Sequence, residues 1–266
     1  MSYSIEGKTA IVTGAANGVG LSIARHFANK GANVMFADMD ENRLAKECGA
    51  NEDGDNMRYF AGDLRERLTL ANLLSATLDA FDRVDILVNG ARQMLPSDPL
   101  DIEDTSTETL LGQNLMTALR LSQIVAKRMI KQTNGDSERP AGSIINLSSI
   151  ASRCTQPQLM AYSISCAALD QMTRSMAVEM APYRVRVNGV GFGSVMSAFL
   201  KDMLKAQPDY RKEIEAHTPL GRIAGPDALT ETVQFLASDA SGFMTGQVLT
   251  VDGGRTLLDP VAAPAH

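Results

Sequence analysis

Short runs of apolar residues alternate along the chain with longer segments of helical periodicity. The seven runs occupy residues 9–13, 33–38, 57–63, 84–89, 143–148, 185–190 and 247–252. Segments between the first six, such as 18–30, 65–81, 105–132 and 160–181, space apolar residues as an amphipathic helix does. Strands separated by helices indicate crossover connections and a parallel sheet that is covered on both faces. The pattern predicts one doubly wound α/β domain over residues 1–266, with about one strand for each run.

The composition is that of an ordinary globular protein, and it narrows the function classes. With 25 basic and 31 acidic residues, the formal net charge is −6, which does not favour nucleic acid or anionic membranes as partners. No apolar run approaches the roughly 20 residues of a membrane span, and the N-terminus lacks the pattern of a signal peptide. The three cysteines have no metal-ligand spacing and accompany only three histidines, so we expect no metal site and a reduced, cytoplasmic setting.

A glycine-rich turn follows the first predicted strand and opens the first predicted helix. Its sequence is TGAANGVG, with glycines at positions 14, 18 and 20. Such a turn lets backbone amides approach a pyrophosphate, whose charge then lies at a helix N-terminus. Many glycine-rich turns are only tight loops, but the position between a strand and a helix favours a dinucleotide phosphate site here.

An acidic residue, Asp38, ends the second predicted strand. Its carboxylate can accept hydrogen bonds from the adenosine ribose, and it would repel a 2′-phosphate. Neither Asn17 nor Met39 supplies a cation for that phosphate, so we expect NAD(H) rather than NADP(H) as the cofactor. The alternative is a solvated acid at a strand end. Asp63, which ends the third predicted strand, is a candidate for a contact with adenine.

Further motifs follow in order along nearly the whole chain. They are GDL at 62–64, ILVNGA at 86–91, GQNL around Asn114, GSIINLSS at 142–149, Tyr162, VRVNGV at 185–190, and a stretch from PLGRIAG to VDGG at 219–254. Together with the glycine-rich turn they resemble the short-chain dehydrogenase/reductase family, and the final stretch is similar to bacterial 3-oxoacyl reductases. The resemblance implies a Rossmann-type fold and NAD(H)-dependent transfer of a hydride between a nicotinamide and an alcohol or carbonyl substrate.

The resemblance also implies roles by position. Tyr162 would be the general acid/base, Ser149 would hold the substrate oxygen, and Asn114 would support a water on the proton path. Cofactor contacts would come from Gly14, Asn17, Gly18, Val19, Gly20, Asp38, Asp63, Leu64, Asn89, Gly90, Tyr162, Gly193, Val195 and Ser197. Without the resemblance, Ser149 and Asn114 would be interpreted as ordinary polar residues at a strand end and on a helix.

One position differs from the family in a way that bears on catalysis. The family's lysine, four residues after the tyrosine, is Cys166 here. A free tyrosine titrates near pH ~10, and lowering that pKa by about three units with a nearby cation corresponds to roughly 4 kcal/mol. In the family the ammonium also holds the nicotinamide ribose. A neutral thiol does neither well, and loss of such acid/base help typically costs about 10²–10⁴-fold in rate.

Two loops beside the expected nicotinamide site differ as well. After the fourth strand, the family's Asn-Asn-Ala-Gly is Asn89-Gly90-Ala91-Arg92, and after the sixth strand its Pro-Gly is Phe192-Gly193. Arg92 and Phe192 add bulk at these loops. Ser197, in place of a threonine, can still hydrogen-bond a carboxamide.

These differences leave three interpretations of the activity. The chain is an oxidoreductase of reduced efficiency, a catalytically weak or inactive dinucleotide-binding protein that serves as a regulatory or partner subunit, or an enzyme with a rebuilt site. In a rebuilt site, Arg92 or Arg153 would supply the missing charge. Cys166 also fits a small buried apolar residue. A nucleophilic thiol would need a base beside it, and no pattern places His26, His217 or His266 there.

Residues 191–218 form an insertion after the sixth strand that corresponds to the family's substrate lid. Apolar residues there and near the expected pocket indicate an apolar substrate: Val195, Met196, Phe199, Leu200 and Met203, with Met94, Leu95 and Met160. A helix packed on its own core would show the same pattern. The segments 105–132 and 160–181 resemble the helices that pair subunits in family tetramers, so a homotetramer is expected.

Overall fold

Seven parallel strands form one sheet in the computed structural model, which describes residues 3–49, 56–136, 140–259 and 261, apart from the side chains at 198 and 199. The strands are β1 (Thr9–Thr13), β2 (Asn33–Asp38), β3 (Met57–Ala61), β4 (Ile86–Asn89), β5 (Gly142–Ser149), β6 (Val185–Phe192) and β7 (Val248–Val251). Their spatial order is β3-β2-β1-β4-β5-β6-β7. The doubly wound parallel sheet predicted from the apolar runs is confirmed, although β3 ends two residues early because the chain bends at Gly62.

Helices connect the strands and cover both faces of the sheet. They are α1 (Gly18–Asn29), α2 (Glu41–Gly49), α3 (Arg67–Phe81), α4 (Ser106–Leu110), α5 (Thr117–Lys131), α6 (Met160–Met180), α7 (Ala198–Ala206), α8 (Asp209–Ala216) and α9 (Thr230–Ala237). A π-helical turn, Leu111–Met116, joins α4 to α5, so the segment 105–132 is helical as predicted but contains a wider turn. Within the described ranges, no helix is both long enough and apolar enough to cross a membrane.

Apolar side chains lie on both faces of the sheet, as the nearly continuous apolar strands predict. In β1, Ala10 and Val12 belong to the same buried cluster as Phe27 of α1. Ile11, between them, belongs to the buried cluster of Leu121 of α5 on the opposite face. This alternation fixes the register of the central strands, because a shift by one residue would exchange the two faces.

The sheet runs in two directions from β1, and this arrangement positions the site. Strands β2 and β3 lie on one side of β1, whereas β4 to β7 extend from its other side. In such a sheet, ligands bind in the crevice outside the carboxyl ends of the strands where the order reverses. The glycine-rich turn after β1 and the residues that follow β4, β5 and β6 all lie at this edge.

Candidate functional site

The glycine-rich turn after β1 packs tightly against the turn after β4. Gly14 has a φ of +70°, and a Cβ there would lie 2.7 Å from the Gly90 carbonyl oxygen. A Cβ on Gly20 would collide with the Gly14 carbonyl oxygen, so glycine is required at the start of α1. The Thr13 hydroxyl accepts hydrogen bonds from the amides of Gly90 and Ala91, at 3.0 and 3.1 Å. The turn is therefore a fixed backbone cradle at the N-terminus of α1, which suits a phosphate.

Asp38, at the end of β2, is hydrogen-bonded to the glycine-rich turn after β1. Its Oδ2 accepts a hydrogen bond from the Ala16 amide at 3.1 Å, and its Oδ1 accepts one from the Met39 amide at 2.7 Å. These bonds fix the carboxylate beside the turn formed by residues 17–19, in which Gly18 has a φ of +56°. Asp38 is partly buried and oriented by backbone amides, unlike a freely solvated strand-end acid.

In the turn after β3, Asp63 forms an ion pair with Arg65. Nε and Nη2 of Arg65 lie 2.9 and 2.5 Å from Oδ1 and Oδ2 of Asp63. Hydrogen bonding from this guanidinium lowers the pKa of Asp63 below its ordinary value. The side chain of Leu64 is buried in the core. A contact with adenine at this turn is therefore open to the Leu64 backbone but not to its side chain.

Tyr162, Ser149 and Cys166 meet where β5 and α6 approach each other. The Ser149 hydroxyl and the Cys166 thiol lie close enough to the Tyr162 phenol to act on its pKa, which the serine lowers and the thiol raises. Ser149 is the last residue of β5, and its Oγ also accepts a hydrogen bond from the Ala151 amide at 3.1 Å. Tyr162 and Cys166 lie on adjacent turns of α6, and both are buried. The structure thus brings together the serine and the tyrosine that are predicted to contact the substrate.

Burial dominates the protonation of this group. It raises the pKa of the Tyr162 phenol above its ordinary value; the Arg92 guanidinium opposes that shift, and the Cys166 thiol adds to it. Burial likewise raises the pKa of the Cys166 thiol, and Arg92 again acts in the opposite direction. Both the phenol and the thiol are therefore protonated at neutral pH.

Asn114 lies in the π-helical turn, and its amide is engaged within the protein. Oδ1 accepts a hydrogen bond from the Gln93 amide at 2.8 Å, while Nδ2 donates to the Gln93 carbonyl at 2.9 Å and to Ser165 Oγ at 3.0 Å. Asn114 therefore ties the loop after β4 to α6. The sequence motifs give no sign of Gln93, whereas Ser165, three residues after Tyr162, can be found from helical spacing.

Asn89 ends β4, and its side chain is buried. Its Nδ2 donates hydrogen bonds to Ser122 Oγ at 2.9 Å and to Asn146 Oδ1 at 2.8 Å. The amide therefore links β4 to β5 and α5 inside the molecule. A cofactor contact at this position would use the backbone of Asn89 rather than its Nδ2.

The predicted cofactor residues that follow β6 lie at the same edge as Ser149. The Gly193 amide donates a hydrogen bond to the Val251 carbonyl, which continues the pairing of β6 with β7. Val195 is buried. The Ser197 hydroxyl caps α7 by accepting a hydrogen bond from the Leu200 amide at 3.2 Å. Its oxygen thus has a structural role that the sequence comparison does not reveal.

The two histidines in the described residues have partners away from Cys166. His26 hydrogen-bonds to a glutamine side chain and His217 to a backbone carbonyl, while His266 lies outside the described residues. Cys166 instead borders a small cavity together with Tyr162 and Ser165. It is a buried neutral thiol without the neighbouring base that a nucleophile needs. The described part of the chain also holds no group of three or more His, Cys, Asp or Glu side chains that could bind a metal ion.

Known proteins share both the sequence and the fold. Residues 14–256 match the family described as enoyl-(acyl carrier protein) reductase. The 7alpha-hydroxysteroid dehydrogenase of Escherichia coli K12 is 31% identical over 257 residues, which cover 94% of each chain. The chain belongs to the short-chain dehydrogenase/reductase family.

Solved structures of short-chain dehydrogenase/reductases superpose on nearly the whole chain. A gluconate 5-dehydrogenase from Burkholderia cenocepacia, in complex with NADP and tartrate, has a TM-score of 0.88 at 28% identity and covers 97% of this chain and 98% of its own. A short-chain type dehydrogenase/reductase from Mycobacterium marinum has a TM-score of 0.86 at 28% identity, with coverages of 96% and 98%.

Short-chain dehydrogenase/reductases bind a nicotinamide dinucleotide and act on CH–OH or C=O groups, so this chain is an oxidoreductase of that kind. Its residues fit such a cofactor. At Gly14 and Gly20, a Cβ would fill the space in which the backbone turns back on itself, and that turn is what brings amides close to a pyrophosphate.

Proposed function

We propose that this chain is an NAD(H)-dependent oxidoreductase that transfers a hydride between nicotinamide and the carbon of an alcohol or carbonyl substrate. The observation that carries the proposal is the placement of Ser149 beside the Tyr162 phenol at the sheet edge that also holds the glycine cradle and Asp38. The cofactor, when bound, supplies or accepts the hydride. The protein supplies orientation and the proton.

The serine–tyrosine pair accounts for the proton. The Ser149 hydroxyl holds the substrate oxygen, and the Tyr162 phenol donates its proton to that oxygen when a carbonyl is reduced. In alcohol oxidation, the phenolate of Tyr162 takes the hydroxyl proton. Asn114, which is bonded to α6 through Ser165, keeps the π-helical turn against the helix that carries Tyr162.

Asp38 supports a preference for NAD(H) over NADP(H). Its carboxylate is held by the amides of Ala16 and Met39, so it has a fixed orientation beside the glycine-rich turn. A ribose diol can donate hydrogen bonds to it, whereas a 2′-phosphate would be repelled. The Burkholderia relative was solved with NADP, so direct measurement of the preference is part of the test.

Cys166 supports a modest catalytic rate. By resemblance it stands at the family's lysine position, and it lies in the same buried cluster as Tyr162. Because the phenol is buried beside a neutral group, its pKa is raised rather than lowered. We therefore expect the enzyme to be slower than a variant with lysine at this position.

The substrate pocket is expected to be apolar and covered by a lid at 191–218. Met94 and Met160, two residues from Arg92 and Tyr162 in the sequence, are exposed and can adapt to an apolar ligand. Val195 and Leu200 are already buried, so they contribute to the core as well. Phe199 has its side chain outside the described residues. We place the lid and the core in one domain over residues 1–266.

Exposed apolar residues on α6 support assembly into a homotetramer. Ile164 is 41% exposed and Val178 is 73% exposed. Both lie on the helix that resembles the subunit-pairing helix of family tetramers, where they would be covered. The three cysteines are free thiols, which fits a reducing, cytoplasmic setting.

A screen that measures binding and turnover separately tests this function. NADH binding is measured by calorimetry, and NADH consumption is followed with a panel of apolar ketones and aldehydes. The proposal expects NADH binding and consumption with at least one carbonyl compound. Tight NADH binding without consumption, by wild type and by Cys166→Lys alike, would instead favour a regulatory or partner subunit.

A further inference from the structure

Two residues that set this chain apart from the family pattern, Arg92 and Phe192, are in contact. The Arg92 guanidinium carbon lies 4.2 Å from the centroid of the Phe192 ring, a cation–π arrangement. Phe192 is buried at the end of β6 and pairs with Ser149 in the register between β5 and β6. The ring therefore holds the cation of Arg92 beside the strand end that carries Ser149.

A second contact fixes the same side chain. Nη1 of Arg92 donates a hydrogen bond to the Ser148 carbonyl oxygen at 3.2 Å. Arg92 also lines a cavity of about 10 Å³, room for about one water, that Tyr162 and Cys166 border as well. Arg92 is thus anchored to the ends of two strands, with its charge on the side of the phenol and the thiol.

A buried phenol needs a nearby positive charge to act as a base, because burial disfavours the phenolate. The residue one turn after Tyr162 is the neutral Cys166. We propose that Arg92, held by Phe192 and the Ser148 carbonyl, is a positioning residue whose charge replaces that of a lysine at position 166. The inference rests on the proposed function, in which Tyr162 exchanges a proton with the substrate.

The charges around Tyr162 and Cys166 agree with this role of Arg92. Arg92 lowers the pKa of Tyr162 and of Cys166, both of which burial raises. From α6, Cys166 raises the pKa of Tyr162, and Asp170, one turn further on, raises that of Cys166. Arg153 borders a second cavity, which Asp170 also lines. Among the described residues, Arg92 is therefore the cation placed to act on Tyr162.

Charge-removing variants test the assignment through the pH profile of alcohol oxidation. Arg92→Gln is expected to lower kcat about 10-fold or more and to move the ascending limb of the profile to higher pH. Arg92→Lys keeps the charge and is expected to show a smaller loss. Arg153→Gln removes the same charge elsewhere and is expected to leave the limb in place. An ascending limb that stays in place in Arg92→Gln would overturn the proposal.

A lysine at position 166 should make Arg92 dispensable. In a Cys166→Lys background, Arg92→Gln is expected to lower kcat less than about 3-fold, because the two cations would serve the same phenol. An equal loss in both backgrounds would overturn the proposal, since Arg92 would then act through folding or binding. The KM for NADH, measured alongside, separates a loss of binding from a loss of proton transfer.

Direct titration of the phenol separates this inference from the proposed function. The ultraviolet difference spectrum between the protein and its Tyr162→Phe variant reports ionisation of this tyrosine without any turnover. Arg92→Gln is expected to raise the pKa measured in this way. If the protein turns over no substrate but the titration shifts, the proposed function fails and the role of Arg92 stands. An unshifted titration overturns the role of Arg92, whether or not the protein is active.

Discussion

Cys166 and Tyr162 lie one turn apart on α6 in the same buried cluster, where the thiol raises the pKa of the phenol. Both groups are buried, and burial raises the pKa of each. The pair is therefore neutral at physiological pH, with the phenolic proton in place. Such a site is prepared to donate a proton to a carbonyl oxygen, whereas the phenolate that would remove a proton from an alcohol is scarce at neutral pH.

The two reaction directions should consequently respond to pH in different ways. Because the folded-state pKa of Tyr162 lies above its ordinary value, the phenolate is scarce below that pKa and becomes more abundant as the pH rises. We expect alcohol oxidation to accelerate by up to about 10-fold per pH unit into the alkaline range. Carbonyl reduction should stay nearly flat around neutrality. Initial rates from pH 6 to 10, the roughly four units below the tyrosine reference value of about 10, check this, and an oxidation rate that levels off near neutrality would contradict it.

Replacing Cys166 by lysine should raise the oxidation rate. An ammonium one turn from Tyr162 stabilises the phenolate, and a gain of about 10-fold or more in kcat is expected, together with a shift of the ascending pH limb to lower pH.

The matched control for Cys166→Lys is Cys166→Met, which lengthens the side chain without adding a charge. This variant is expected to give no gain in kcat. A similar gain from both variants would show that filled space, and not charge, limits the wild-type enzyme.

Asp38 should set the choice of cofactor. In Asp38→Asn the side chain keeps its size, but the repulsion of a 2′-phosphate is lost. We expect the ratio of NADH affinity to NADPH affinity to fall about 10-fold or more, which is roughly 1.4 kcal/mol. The control is Asp40→Asn, an acid two residues further on whose Oδ1 accepts a hydrogen bond from the Arg43 amide. Equal affinities of the wild type for NADH and NADPH would refute the assigned preference.

The glycine cradle should tolerate no side chain at position 20. In Gly20→Ala the new Cβ meets the Gly14 carbonyl oxygen, so the turn must shift and its amides move away from the pyrophosphate. We expect NADH affinity to fall at least about 10-fold and Tm to drop, since an overpacked backbone contact costs about 1–3 kcal/mol. Gly49→Ala, whose Cβ meets nothing within 4 Å, serves as the control and should leave both unchanged.

The fold could be predicted from the sequence because a parallel sheet that is covered on both faces requires strands that are nearly continuous apolar runs. Strands β1 and β2 occupy the predicted residues, and the glycine turn lies between β1 and α1, since both follow from local spacing. The meeting of Ser149 and Tyr162 was accessible only through the family resemblance. Nothing in the spacing of a strand end and a helix shows that the two side chains lie close together.

Contacts between loops that are distant along the chain could not be predicted from the sequence. The sequence indicates Arg92 and Phe192 only as separate bulky residues beside the nicotinamide, because their stacking depends on how the ends of β4 and β6 approach each other across β5. The capping role of Ser197 and the burial of the Asn89 amide were likewise hidden. In both cases a polar side chain that could serve a ligand is used by the protein, which only the tertiary structure reveals.

Transfer of deuterium to the carbonyl carbon of a product, from NADH that carries deuterium at both C4 positions, tests the central claim most directly. In a single turnover with excess enzyme, mass spectrometry should find deuterium on the carbon that becomes CH–OH. The Tyr162→Phe variant should lower the transfer rate about 10²-fold or more while still binding NADH. Product that carries no deuterium, or a Tyr162→Phe variant as fast as the wild type, would contradict the account.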